Sequence, residues 1–304
     1  MDWCFTKPDP EVIISPYLCK NRVPLSDTPR EVFHSGLISY GDMIAPGAYR
    51  LHSCFSHAIN YLQGDDLVSL VDPFVGSGPL NIVVETLSRT ANQLIVDDAF
   101  VILDGSRLER IPAICFDSSL PQFSHSQLQI LKANLPSFKR LLIDLAPQKS
   151  IVYMLDEREG LGAGTTFESE LKNRFIQSTR LMQEGRILEA VRTVKGLGFG
   201  LTPSGDDFIA GLLLALNFQK ATDCRKLIDH IFAAAHTENS LSQAWLRCAK
   251  EGRVFAAVKH MILALGQADM SELLLSIDRL LTVGSTSGAD MAVGFIFGIE
   301  KAIV

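Results

Sequence analysis

Long apolar runs are missing from this 304-residue chain. The strongest, Phe208 to Phe218, falls well short of the roughly 20 residues that a bilayer span requires. An excess of basic residues is also missing. Lys and Arg number 28 against 34 Asp and Glu, a formal net charge of −6, which argues against nucleic acid or an anionic membrane as the main partner. That balance leaves room for a small anion in a local pocket. The six cysteines (Cys4, Cys19, Cys54, Cys115, Cys224, Cys248) contain no C-x-x-C pair, so neither a zinc ribbon nor a redox motif is encoded, and reduced thiols are expected. His52, His57, His230 and His236 fall into no H-E-x-x-H or other metal spacing. There is no G-x-S-x-G elbow from which a hydrolase triad could start. The N-terminus lacks a basic n-region and is interrupted by Pro8, Pro10 and Pro16, so no signal peptide is read and a soluble, cytoplasmic protein is expected.

What is present is a core-forming composition, 47% hydrophobic and 20% charged, arranged in two different periods. Up to about residue 120, short β-rich runs are bounded by Gly, Pro and Asp: 32–40, 66–71, 80–84, 93–96, 99–103 and 111–116. That density of turns predicts a twisted sheet or small barrel. Residues 54–62 are read as a helix among the strands. From 121 onward the period becomes helical, with helices expected at 126–135, 138–145, 167–182, 187–194, 208–218, 225–235, 240–249, 254–265 and 271–281, and from 289 to the end. Pro136 and Pro147 are read as boundaries, and 160–164 as a flexible glycine loop. The expected fold is therefore α+β: a β-rich domain over 1–120 and a helical domain over 121–304.

Two segments of the helical half share a pattern. Ser204-Gly205-Asp206-Asp207 with Gly211, and Ser287-Gly288-Ala289-Asp290 with Gly294, both read Ser-Gly-x-Asp-x-x-x-Gly. Each follows a glycine-bearing loop (Gly196, Gly198 and Gly200 before the first, Gly284 before the second) and each opens an apolar helix. Residues 208–216 are apolar on every face, so that helix is expected to be buried. Thr202 and Pro203 fit an N-cap and first helical position. Glycines permit positive φ and close backbone approach, and a helix N-terminus offers unpaired N–H groups and partial positive charge. The expectation is one polar chamber framed by both loops and seating an anion. Gly198, Gly200, Thr202, Ser204, Gly205, Thr286, Ser287 and Gly288 would bind substrate. Asp206, Asp207 and Asp290 would serve as catalytic groups, acting as acid or base, or with Asp207 and Asp290 holding Mg²⁺. The plainer reading stands beside this one: Ser, Thr and Asp at helix starts are ordinary caps. It leaves Gly205 and Gly288 unexplained, since glycine inside a first turn costs about 1 kcal/mol against alanine.

Other candidates are Thr237 and Ser242, which bracket a helix start and read as caps or as pocket lining, and Gly78 in Gly76-Ser77-Gly78-Pro79, a turn or a ligand loop. A phosphate loop is not encoded, because Asp206-Asp207 stands where Lys-Ser/Thr is needed.

The stretch Gly198-x-Gly200-Leu201-Thr202-Pro203-Ser204-Gly205-Asp206-Asp207, with Gly-Ser-Thr-Ser-Gly-Ala-Asp at 284–290, resembles a bacterial family catalogued as a domain of unknown function. One of its members is a subunit of the FdrA-type oxamate carbamoyltransferase of allantoin breakdown. His52-Ser53-x-Phe55, Gly76-x-Gly78-Pro79 and Thr237-x-x-x-x-Ser242 followed by Ala249-x-x-Gly252 extend the resemblance from about residue 30 to the end. Ser285 stands where the family pattern has histidine. The resemblance implies a multi-subunit enzyme that converts oxamate and carbamoyl phosphate to oxalurate and phosphate, or the reverse. Two other readings stay open: a Mg-nucleotide-binding enzyme of another reaction type, and a non-catalytic scaffold subunit.

Overall fold

The computed structural model describes residues 36–87, 92–103, 105–156, 166–219 and 222–302. The chain forms two compact units, Met1–Asp117 and Ser118–Val304.

The first unit is a mixed nine-stranded sheet in the order β8-β7-β6-β2-β3-β4-β5-β1-β9. Its strands are β1 (Leu37–Gly41), β2 (Gly47–Cys54), β3 (Ala58–Gln63), β4 (Asp66–Val71), β5 (Asn81–Val84), β6 (Gln93–Val96), β7 (Phe100–Leu103), β8 (Ser106–Glu109) and β9 (Cys115–Phe116). Gln63 pairs with Asp66 across the β3–β4 turn, where Gly64 takes φ +59°, a conformation glycine adopts without steric penalty. β6 alternates buried and exposed residues, whereas β4 beyond Asp66 and all of β5 are continuously buried. Tyr49, Tyr61, Val68, Leu70, Ile82 and Leu94 form the centre of this unit's core.

The helix expected over 54–62 does not exist. Cys54 ends β2, the Phe55 N–H donates to the Ala58 carbonyl at 2.8 Å, and β3 then pairs with both β2 and β4. Cross-strand pairing on both sides overrides whatever helical spacing the segment has. The run over 32–40 contributes β1 from Leu37; residues 32–35 lie outside the described part. Residues 111–116 divide into a 3₁₀ turn (Pro112–Ile114) and the short β9.

The second unit is helical: α1 (His125–Leu145), α2 (Thr166–Gln183), α3 (Ile187–Val194), α4 (Ser204–Gln219), α5 (Thr222–Ala234), α6 (Ser240–Lys250), α7 (Ala256–Leu265), α8 (Met270–Leu281) and α9 (Ser287–Ala302). The boundary expected at Pro136 is not one. α1 runs through it as a single helix, opened by a Ser124–Gln127 capping box. An interior proline removes one backbone bond, and burial of Leu131, Leu135, Phe138 and Leu142 along one face holds the helix together across the gap. The glycine loop at 160–164 lies outside the described residues. Among the described residues no helix is long and apolar enough to cross a membrane.

At the centre lie α4 and α9. From Ser204 to Leu216 every residue of α4 is buried. The two backbones touch through glycines in a reciprocal manner. A Cβ on Gly211 would collide with the Met291 carbonyl, and one on Gly294 would collide with the Phe208 carbonyl. Gly298 continues the seam, facing the Ala215 Cβ. Side-chain interdigitation normally keeps helix axes about 8–10 Å apart; these glycines remove the side chains that would enforce it.

Candidate functional site

The two loops reach α4 and α9 by matching geometry. After α3, the Leu197 N–H donates to the Val194 carbonyl, and Gly196, Gly198 and Gly200 take φ of +69°, +126° and +95°. After α8, the Val283 N–H donates to the Leu280 carbonyl, and Gly284 takes φ +61°. Gly198 and Gly284 each present a bare Cα to the first serine of the following helix: an added Cβ would lie 2.5 Å from the Ser204 nitrogen in one case and 3.0 Å from Ser287 Oγ in the other.

Gly205 and Gly288 have their explanation here. A Cβ on Gly205 would collide with the Val194 carbonyl at the end of α3, and one on Gly288 with the Leu280 carbonyl at the end of α8. Their amides are also engaged, Gly205 donating to Leu197 at 2.8 Å and Gly288 to Val283 at 3.0 Å. The expectation that these two N–H groups seat an anion is therefore corrected. They fold each helix start back against the helix that precedes it. The Thr202–Pro203 cap is corrected as well. α4 begins at Ser204, the Asp207 N–H donates to the Pro203 carbonyl, and the Thr202 hydroxyl is turned away to Asp207 and Ser287.

The loops do meet. Thr202 Oγ1 lies 3.3 Å from Ser287 Oγ and 3.3 Å from Asp207 Oδ2. Asp207 and Asp290 sit beneath this contact, 5% and 0% exposed. The serines act crosswise: Ser287 of α9 favours the ionised form of Asp207 on α4, and Ser204 of α4 does the same for Asp290 on α9. Asp290 Oδ1 accepts from the Ile151 amide at 2.8 Å, while its Oδ2 is buried with no hydrogen-bond partner. Ser204 and Thr286 are thus near enough for their dipoles to act on Asp290, without closing a bond to Oδ2.

Burial dominates the electrostatics. It pushes Asp290 up to about 6, against the Ile151 N–H and the Ser204 and Thr286 hydroxyls. Burial raises Asp207 well above the carboxylate range, and the charge of Asp290 adds to the rise. The Tyr153 phenol is raised as well, by burial first and Asp290 second. Two nearby carboxylates out of water cannot both ionise cheaply.

Asp206 faces the other way. Its Oδ1 accepts from the Gly196 amide at 2.8 Å, and burial raises its pKa against that bond, the Ser242 hydroxyl and Lys195. Asp206 Oδ2 and Ser242 Oγ are both buried without a closed hydrogen bond. Thr237 is a turn residue whose hydroxyl accepts from the Asn239 N–H. The actual cap of α6 is Asn239, which accepts from the Leu241 and Ser242 amides and donates to the Leu201 carbonyl at 2.7 Å. Gly200 is exposed in the first loop. Gly78 belongs to the sheet unit, where its carbonyl and that of Pro79 crowd the Cα of Gly41.

Sequence reading overlooked Asn239, Ile151, Tyr153 and Lys195. Asn239 carried a signal, an amide side chain immediately before a helical run. Ile151 acts through its backbone, which no residue type announces. Among the described residues no group of three or more His, Cys, Asp or Glu side chains is placed to hold a metal ion.

A family model described as oxamate carbamoyltransferase subunit AllH matches residues 194–299. The matched span opens on the last residue of α3 and closes within α9, so it takes in both loops, Asp206, Asp207, Asp290, Thr237 and Ser242, and leaves out Gly78. No solved structure matches the chain.

Proposed function

We propose that this chain is a subunit of an enzyme of the oxamate carbamoyltransferase type, assembled with other subunits, and that the chamber between the starts of α4 and α9 handles its small substrate. One observation carries the reading. The segment matched by that family model is also the segment whose two loops converge, Thr202 on Ser287, over a pair of buried carboxylates. In the transfer direction a C–N bond forms between the oxamate nitrogen and the carbamoyl carbon, the C–O bond to phosphate breaks, and the nitrogen sheds a proton. A buried carboxylate with a raised pKa suits the receipt of that proton near neutral pH. With the Gly205 and Gly288 amides engaged in backbone bonds, the Thr202 and Ser287 hydroxyls are the donors for the departing anion.

The chain co-purified with its partner subunits and assayed for carbamoyl transfer tests this. Asp207→Asn and Asp290→Asn should each lower kcat about 100-fold, the scale of general acid–base participation. The scaffold reading has an observation in its favour, since Gly205, Gly211, Gly288 and Gly294 all fill packing roles. It predicts full activity from both variants. A chelator arm addresses Mg²⁺: loss of activity in EDTA with recovery on Mg²⁺ would give the aspartates a metal-holding role.

A further inference from the structure

We propose that the cleft between α3 and α5 is a separate anion site, which holds a small organic molecule by its phosphate group. The cleft shares no residue with the chamber at the starts of α4 and α9, and the proposal does not depend on the transferase reading.

The cleft has a volume of about 470 Å³. Leu188, Arg192 and Lys195 line it from α3 and its end, and His230, Ala233 and Ala234 line it from α5. Small-molecule sites run from about 300 to 1,000 Å³, so there is room for an organic body as well as a charged group. Half of the lining is basic, in a chain whose net charge is −6. The acidic side chains close by in the chain are committed elsewhere. Glu184 and Glu189 both bond to Arg186, and Asp229 pairs with Lys250 at 2.9 Å. The charges of Glu189 and Asp229 are still felt by Arg192 and His230, but their hydrogen bonds go to Arg186 and Lys250. Lys195 Nζ donates to the His236 carbonyl at 2.9 Å. This ties the end of α3 to the end of α5 and leaves further N–H groups of the ammonium for a ligand.

Cations in the last turn of a helix offset its dipole, which accounts for Arg192 and Lys195 taken alone. It does not account for His230, which lies outside the last turn of α5 and faces the same opening. Nor does it account for the apolar remainder of the lining, Leu188, Ala233 and Ala234. The charge pattern favours phosphate over carboxylate. A phosphate monoester brings three acceptor oxygens and a charge of about −1.5 to −2 at neutral pH, and a carboxylate brings two oxygens and a single charge. Arginine also pairs with phosphate through two parallel hydrogen bonds. The apolar side of the cleft then receives the organic part.

Phenyl phosphate, inorganic phosphate and benzoate separate these contributions. Titration calorimetry on the full-length chain in a phosphate-free buffer at pH 7.5 should show phenyl phosphate bound at least tenfold more tightly than either of the others. Arg192→Gln and Lys195→Gln, both at exposed positions, should each weaken it at least tenfold. Lys132→Gln on α1 removes the same charge far along the chain and should change nothing, and Thr202→Val at the chamber should also leave the affinity as it was. Equal losses from Lys132→Gln and Arg192→Gln would reduce the effect to overall charge and overturn the proposal. Loss with Thr202→Val but not with Arg192→Gln would move the anion to the chamber and overturn it too. So would tighter binding of an Asp- and Glu-rich peptide than of phenyl phosphate, which would give the cleft to an acidic segment of a partner subunit, or no binding of phenyl phosphate at all.

Discussion

Asp290 is the residue at which structure and chemistry bear most directly on one another. Its pKa rises from 3.8 to about 6 on folding, so once ionised it costs the folded state about 3 kcal/mol. The folded chain holds the proton more tightly than the unfolded chain. Stability should therefore increase as pH falls from about 6 toward 4 and carry the full penalty above 6. Asp290→Asn removes the charge and with it this dependence. Its melting temperature should exceed that of the parent at pH 8, with the difference shrinking toward zero near pH 4; a difference that ignores pH would refute the shift. Gly205 and Gly288 invite the opposite experiment. Alanine at either position drives a methyl into a backbone carbonyl, and overpacking of this kind costs about 1–3 kcal/mol or more. Urea midpoints of Gly205→Ala and Gly288→Ala would measure it. At this scale the sequence was legible for the aspartates and serines, whose spacing repeats. It was misleading for these two glycines, because the carbonyls they clear belong to the preceding helix and only a folded loop brings them near.

Among the elements, the helices were read well and their interruptions poorly. Ser204–Gln219 and Ser287–Ala302 announce themselves by unbroken apolar sequence after a polar start. Proline removes a helical bond and so marks a boundary in the sequence, yet α1 spans Pro136 with Leu131, Leu135, Phe138 and Leu142 buried on one side. Pro136→Ala restores the missing donor toward Lys132 and should stabilise the unit by about 1–3 kcal/mol, read as an increased urea midpoint with an unchanged slope. The segment over 54–62 failed for the reverse reason, since its fate is decided by neighbours on both sides of β3 and not by its own spacing. The α4–α9 contact was legible in outline. Gly211 and Gly294 close the repeated Ser-Gly-x-Asp-x-x-x-Gly pattern, and the reciprocal collision that a Cβ on either would make with the Met291 and Phe208 carbonyls gives a symmetric prediction. Gly211→Ala and Gly294→Ala should destabilise by similar amounts, and the double variant by less than the sum, because both substitutions spread the same pair of helices.

At the scale of the molecule, the change of period along the chain was enough to give the α+β class and to separate sheet from helices. Strand order was not legible. β5 lies beside β4 in parallel and β1 enters between β5 and β9, pairings between distant segments that no local pattern records. Each unit buries a hydrophobic cluster of its own, as independently folding domains do. Residues 118–304 expressed alone should therefore unfold in a single cooperative transition; gradual, non-cooperative melting would show that the helical unit depends on the sheet. Cys54, Cys115, Cys224 and Cys248 are not joined in disulfides.

The approximate dyad relating α4 to α9 carries a consequence for how a guest is oriented. In the proposed function a small planar guest lies between two nearly equivalent halves and has two poses related by a half-turn, close in free energy unless something distinguishes the walls. What distinguishes them is few in number. Asp290 accepts from the Ile151 amide whereas Asp207 accepts from the Thr202 hydroxyl, and the first loop carries three left-handed glycines against a single one in the second. With that asymmetry a bound amide should settle in one pose and give one carbonyl band in isotope-edited spectroscopy; two bands of similar weight would show that the halves act alike.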